Sequence, residues 1–296
     1  MRTDNDIYRA IQDYVRADDN IRAAVLNGSR ANKQVAADKY QDFDIVFFVH
    51  NIEAAKFPAL RESFFGVPVL QQCPDDMLLG NEGMPPRAAY TLLMIYEDGH
   101  RIDLTLFPLT HFTSEYKHDS LTVPLADKDG LFADTAPADE SSYFITPPDA
   151  RLFAETANEF WWCATNVAKG LARHEITYAK AMTEDVIRPV FMQMLDWKIG
   201  YTCGFNLSTG KNGKYLSRYL TTDEMQAVLD TYSDADPENN WRALFLMCEL
   251  FREYQTVTAE TSGFEINTRE CDASVHYLRK IYKTARTDKN QANNMA

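Results

Sequence analysis

Apolar side chains at Ile7, Ile11, Tyr14 and Val15 recur at helical spacing, which predicts an amphipathic helix from Asp4 to Ala17. The run Ala24-Val25-Leu26 then reads as a short buried strand, and Ile45 to Val49 as a continuous apolar strand. Pro58 to Phe65 reads as helix and Val67 to Leu70 as a short strand. Thr91 to Tyr96 and Arg101 to Phe107 form a predicted hairpin across Glu97-Asp98-Gly99-His100, with Asp-Gly as the turn signal. Asp75 to Arg87 is rich in glycine, proline and acid, so it reads as a loop.

The period changes after a Pro-, Ser- and Asp-rich stretch from Asp134 to Asp149, which marks a boundary. Thr146-Pro147-Pro148-Asp149 reads as a helix start, because proline is tolerated in a first turn. From Arg151 to Arg173 an apolar stripe runs through Phe153, Ala157, Phe160, Trp161, Ala164, Val167 and Leu171. Ile176 to Tyr201 continues as helix with a kink expected at Pro189. Asp223 to Tyr232, Trp241 to Val257 and Thr268 to Ala285 complete a predicted bundle, and no internal repeat is visible. The expected organisation is a domain over residues 1–146, a helical domain over 147–286 and a frayed polar tail over 287–296.

Candidate chemistry concentrates in the first half. Asn27-Gly28-Ser29-Arg30 is followed by Asp42-Phe43-Asp44 at the mouth of an apolar strand, and Asp103 lies inside the strand-like Ile102-Asp103-Leu104-Thr105-Leu106. Alternate strand residues share a face, so Asp42 and Asp44 project together, about 6–7 Å apart. If the strands pair, Asp103 joins them. Three carboxylates so close repel one another, and a hard divalent cation with oxygen ligands relieves that repulsion. Gly28 permits a tight turn, and Ser29 is expected to cap the helix that follows, its hydroxyl and the nearby amides facing a phosphate. Arg30 adds either a phosphate contact or a structural ion pair. The pattern suits two-metal phosphoryl or nucleotidyl transfer.

Gly28-Ser29-Arg30, Asp42-x-Asp44 and Asp103 together resemble the nucleotidyltransferase pattern of the DNA polymerase β superfamily. More narrowly, the chain resembles the aminoglycoside 6-adenylyltransferases, the streptomycin-modifying enzymes. Asn158-Glu159-Phe160-Trp161-Trp162, Trp197-Lys198-Ile199-Gly200 and Gly210-Lys211-Asn212-Gly213-Lys214-Tyr215 carry that resemblance from about residue 1 to residue 285. It implies an α+β fold, a polymerase-β-like nucleotidyltransferase domain followed by a helical bundle with the active site in the cleft between. It also implies transfer of AMP from ATP to an aminoglycoside hydroxyl, with Mg²⁺, two ions in all, on Asp42, Asp44 and Asp103, and the phosphates on Gly28 and Ser29. By the same resemblance Glu159 and Trp162 face the acceptor, Glu159 holding an ammonium or taking a proton and Trp162 stacking on a ring. Glu82 in the acidic loop is a rival general base and acceptor contact, and the choice stays open. Lys169, Lys211 and Lys214 are candidates for the triphosphate; a surface lysine lying along apolar neighbours is the alternative for Lys169.

The 296 residues carry 30 basic and 43 acidic side chains, a net charge of −13. That balance disfavours a nucleic-acid partner and suits a cationic substrate. No run is long enough to span a membrane, the start lacks an apolar signal core, and five scattered cysteines form no disulfide or zinc pattern. The expectation is a cytoplasmic, monomeric enzyme. A nucleotidyltransferase for another acceptor, and a non-catalytic ATP-binding protein, are the alternatives.

Overall fold

Six strands form one mixed sheet in the order β3-β4-β5-β2-β1-β6. They are β1 Ile21–Asn27, β2 Phe43–Val49, β3 Leu70–Gln72, β4 Tyr90–Ile95, β5 Arg101–Pro108 and β6 Val123–Asp127. All neighbours are antiparallel except β2 and β5, which run parallel. This computed structural model describes residues 1–83, 85 and 87–295, and for 288–295 the backbone alone. The chain divides into two compact units, Met1–Ser142 and the remainder from Tyr143.

In the first unit, α1 spans Asp4–Ala17, as the apolar spacing predicts, and Thr3 caps it reciprocally with Asp6. Short helices follow: α2 Gly28–Ala31, α3 Ile52–Ala55, α4 Pro58–Phe65 and α5 Phe112–Glu115. Burial alternates along the strands, so the sheet has two unlike faces. Phe43, Ile45, Phe47, Leu92, Met94, Ile102, Leu104 and Leu106 are buried in one cluster with Ile7, Ile11 and Tyr14 of α1 and Phe65 of α4. Each such side chain contributes about 1.5–3 kcal/mol by leaving water, which fixes the register of the strands. On the opposite face, Phe112, Tyr116 and Phe132 surround Phe48 and cover only one end of the sheet. The other end, where β2 and β5 begin, carries the polar positions.

The second unit is helical: α6 Ala150–Ala172, α7 Ile176–Ala181, α8 Arg188–Cys203, α9 Thr222–Leu229, α10 Pro237–Ser262 and α11 Thr268–Met295. All seven stripe residues of α6 are buried. Phe160 stacks on Phe251 of α10 with ring centroids 3.8 Å apart, and the Trp161 indole donates to Gln255 at 3.2 Å. The class is α+β, as expected.

Several local expectations need correction. The third strand is Leu70–Gln72 rather than Val67 to Leu70: Pro68 lacks a donor, and the pairing with β4 runs from Leu70 beside Ile95 to Gln72 beside Leu93. Strand β6 escaped the sequence pattern altogether. The prolines at 147 and 148 precede Asp149, which caps α6 by accepting from Leu152. The kink expected at Pro189 is a π-turn over Met182–Ile187, ahead of the proline. A proline there cannot donate to the carbonyl four residues back, so the preceding turn widens. Finally, α11 runs on through Met295 instead of fraying after residue 286.

Candidate active site

The parallel register of β2 and β5 sets Asp44 directly beside Asp103, with Phe43 beside Ile102. One step further along the same register, Asp42 falls beside Arg101. Across the sheet, Asp103 neighbours Leu93 of β4 and Asp44 neighbours Asn27 of β1. The carboxylates predicted from sequence are thus brought together at the open end of the sheet. Ion-free burial there is incomplete: the Asp42 and Asp103 side chains are 36% and 19% exposed. A charge is tolerated on this face because water or a counter-ion reaches it.

Gly28 opens α2 at φ 70° and lies against Asp44. A Cβ built there would sit 2.9 Å from Asp44 Cγ and closer still to Oδ2. The turn therefore brings bare backbone to the carboxylate, an approach only glycine permits. Ser29 does not cap the helix: Asn27 holds the cap position and makes no side-chain cap bond. Ser29 lies inside the turn, where its carbonyl accepts from Gln41 Nε2. Arg30 takes the structural of its two expected roles. Its guanidinium is 6% exposed and pairs with Asp4, donates to the Gln41 carbonyl and stacks on Phe43.

Arg101 is the functional candidate that the sequence reading missed. Its Nε and Nη2 donate to Asp103 Oδ1 and Oδ2, both at 2.7 Å, and Nε lies 3.5 Å from Asp42 Oδ2. Spacing alone offered a signal, since residues two apart in a strand share a face. Burial pushes the Asp42 carboxyl above its ordinary value; Arg101 opposes that shift, Asp103 adds to it and Arg30 opposes it. The hydrogen bond to Asp103 raises Arg101 in turn.

These donors fit a divalent cation in kind, being hard carboxylate oxygens that already gather around one positive charge. Among the described residues no group of three His, Cys, Asp or Glu side chains stands poised around a metal position. Arg101 stands among the carboxylates, its fork engaging both oxygens of Asp103.

Beside the carboxylates lies a cavity of about 600 Å³ bounded by Leu70, Met77, Leu93, Ile95, Asp76 and Arg101. Asp76, also unremarked in the sequence, accepts from Tyr90 Oη at 2.5 Å. Glu82 is exposed and accepts from the Gly80 amide at 3.1 Å.

The candidates of the helical unit fall into two places. Glu159, Trp162 and Lys169 share one stripe of α6 at helical spacing, with Glu159 exposed, Trp162 69% exposed and Lys169 half-buried. Glu159 accepts from the Cys163 thiol at 3.3 Å. With Glu155, Glu265 and Glu270 it lines a cavity of about 840 Å³. Lys211 and Lys214 are exposed in a turn whose Asn212 adopts φ 55°. Lys211 borders a cavity of about 390 Å³ with Asp196 and Thr209, and Lys214 lies over the Tyr215 ring at 5.0 Å. Among the described residues no helix is long and apolar enough to cross a membrane.

The chain is similar to several known proteins. It is 34% identical to the aminoglycoside 6-adenylyltransferase of Bacillus subtilis (strain 168) over 268 residues, 90% of this chain and 93% of that protein. It is 35% identical to the Staphylococcus aureus protein of the same name over 286 residues, 96% of this chain and 100% of that one. A third such protein, from Campylobacter jejuni, is 30% identical across 98% of this chain and 100% of its own length. The family model for streptomycin adenylyltransferase matches residues 1–281. With its paired carboxylates and glycine turn inside that match, the chain belongs to the streptomycin adenylyltransferase family.

Proposed function

We propose that this chain is an aminoglycoside adenylyltransferase that moves AMP from ATP to a hydroxyl of a streptomycin-type aminoglycoside, at the 6-position by its resemblance, and so confers resistance in the cytoplasm. The observation that carries the reading is the pair Asp44 and Asp103, side by side at the open end of the sheet against the Gly28 turn. Asp42, Asp44 and Asp103 would hold magnesium, which would supply charge neutralisation at the attacking and leaving oxygens.

The residues of the chain do the rest. The bare backbone at Gly28 and Ser29 receives the polyphosphate, and Lys169, Lys211 and Lys214 balance its remaining charge. Glu82 or Glu159 orients the acceptor hydroxyl and takes its proton. The acceptor oxygen bonds to the α-phosphorus as the bond to the β-phosphate oxygen breaks, and pyrophosphate leaves. The acidic cavity beside Glu159 supports a cationic acceptor, and Trp162 is free to stack on a sugar ring.

The test is incubation with ATP, Mg²⁺ and streptomycin, followed by product mass and pyrophosphate. An AMP-sized gain on streptomycin is expected from the wild type and none from Asp44→Asn, whose circular dichroism remains native. Full activity in Asp44→Asn removes the metal assignment. Pyrophosphate release without a streptomycin product points to a different acceptor, and ATP binding without release to a non-catalytic protein.

A further inference from the structure

We infer that Arg101 is the resident counter-cation of the carboxylate site, the group with which an incoming divalent cation must exchange. The inference rests on the reading of Asp42, Asp44 and Asp103 as metal ligands. Strand periodicity puts Arg101 and Asp103 on one face of β5, and the parallel register places Asp42 and Asp44 alongside them. The result is a block of four side chains with three negative charges and one positive.

The contacts are specific. One planar fork engages both oxygens of Asp103 at 2.7 Å and reaches Asp42 Oδ2 at 3.5 Å. Divalent magnesium draws its oxygens in to about 2.0–2.1 Å, so a metal on Asp103 and a guanidinium on the same two oxygens are neighbouring cations that repel. One must leave.

Arg101 is the one able to move. Its side chain is 41% exposed and borders the cavity next to Leu93 and Ile95, so swinging away does not bury its charge. Arg30, the other guanidinium acting on Asp42, is fixed by contrast between Asp4, the Gln41 carbonyl and Phe43. A polyphosphate arriving with the metal brings new acceptors for the displaced fork, which makes the exchange easier for metal and nucleotide together than for metal alone. Arg101 thereby sets how tightly the empty enzyme holds a free cation.

The experiment measures Mn²⁺ binding to the full chain without nucleotide, by loss of the free-ion electron paramagnetic resonance signal, for the wild type, R101Q, R101K and D103N. Circular dichroism checks that each is folded. Binding about tenfold tighter is expected in R101Q, and binding several-fold tighter in R101K, which keeps the charge but lacks the planar fork. R101Q at or below wild-type affinity overturns the inference. So does R101K indistinguishable from wild type, because a long-range field then explains the R101Q gain. D103N separates the inference from the reading beneath it. Wild-type affinity in D103N, or no saturable binding to any variant, overturns the metal reading and the inference together. Binding that requires Asp103 but ignores Arg101 overturns the inference alone.

Discussion

Gly28 and Asp44 fit together because Gly28 has no side chain: a Cβ at that position would stand 2.9 Å from Asp44 Cγ. Gly130 has nearly the same backbone, φ 71° against 70°, but open space where its Cβ would be. Alanine at Gly130 is expected to cost about 1–2 kcal/mol for the backbone alone. Alanine at Gly28 should cost more and displace Asp44. Urea midpoints of the two variants, with AMP transfer measured alongside, check this. Equal losses in both, with activity kept in Gly28→Ala, would show that the close approach is immaterial.

Trp162 is 69% exposed, whereas Trp161, Trp197 and Trp241 are 1%, 1% and 4% exposed. Iodide is therefore expected to quench one emission component, and Trp162→Phe should abolish that component. Under the proposed function streptomycin shields it as well. Unchanged quenching with saturating streptomycin counts against stacking by Trp162.

The pair of Glu224 and Lys198 predicts a pH dependence. The Lys198 ammonium, donating at 2.7 Å, and the Thr221 amide hold Glu224 down to about 2 from its ordinary 4.5. The folded value lies below the unfolded one, so this contribution is complete above about pH 4.5 and fades as the pH falls toward 2. With the carboxylate side chain 33% exposed, about 1 kcal/mol is expected. Glutamine preserves the cap that Glu224 forms with Thr221. The wild type should lead Glu224→Gln in urea midpoint at pH 6, and the gap should narrow at pH 3. A gap indifferent to pH would mean that the ion pair contributes nothing.

All five cysteines are free thiols, and Cys203 is the exposed one. Burial pushes the Cys163 thiol up to about 11 and the Cys248 thiol up to about 12. At pH 8 a colorimetric disulfide reagent should modify Cys203 first and reach Cys163, Cys248 and Cys271 only on unfolding. Rapid modification of Cys248 in the native protein would contradict its burial.

Where apolar spacing was strong, the chain was readable. Asp4 and Ala17 bound α1 as the pattern of Ile7, Ile11, Tyr14 and Val15 predicts, and the whole Phe153-to-Leu171 stripe is core. Strand β6 was not readable, because Pro124 interrupts it and its side chains show no clean alternation of burial. Asp42, Asp44 and Asp103 stand out in the sequence because charge beside apolar strands is conspicuous. The pairing of Arg101 with Asp103 follows from their spacing, but its reach to Asp42 depends on which strand lies next to β5 and in what register, a long-range relation that local pattern does not encode. The uses of Arg30 and Ser29 were decided by partners distant from the turn itself, Asp4 and Gln41.

The single parallel pairing in the sheet has a consequence for how such a protein can change. Because β2 and β5 start at the same edge, Asp44 and Asp103 sit side by side although a crossover, residues 50–100, separates their strands in the chain. That crossover carries α3, α4, β3, the acidic loop and β4, whose Leu93 pairs with Asp103, and it also walls the cavity beside the carboxylates. The part of it ahead of β4, residues 50–89, can drift in length and lining while Asp44 and Asp103 stay in place, so the cavity beside the carboxylates can be remodelled through one continuous segment.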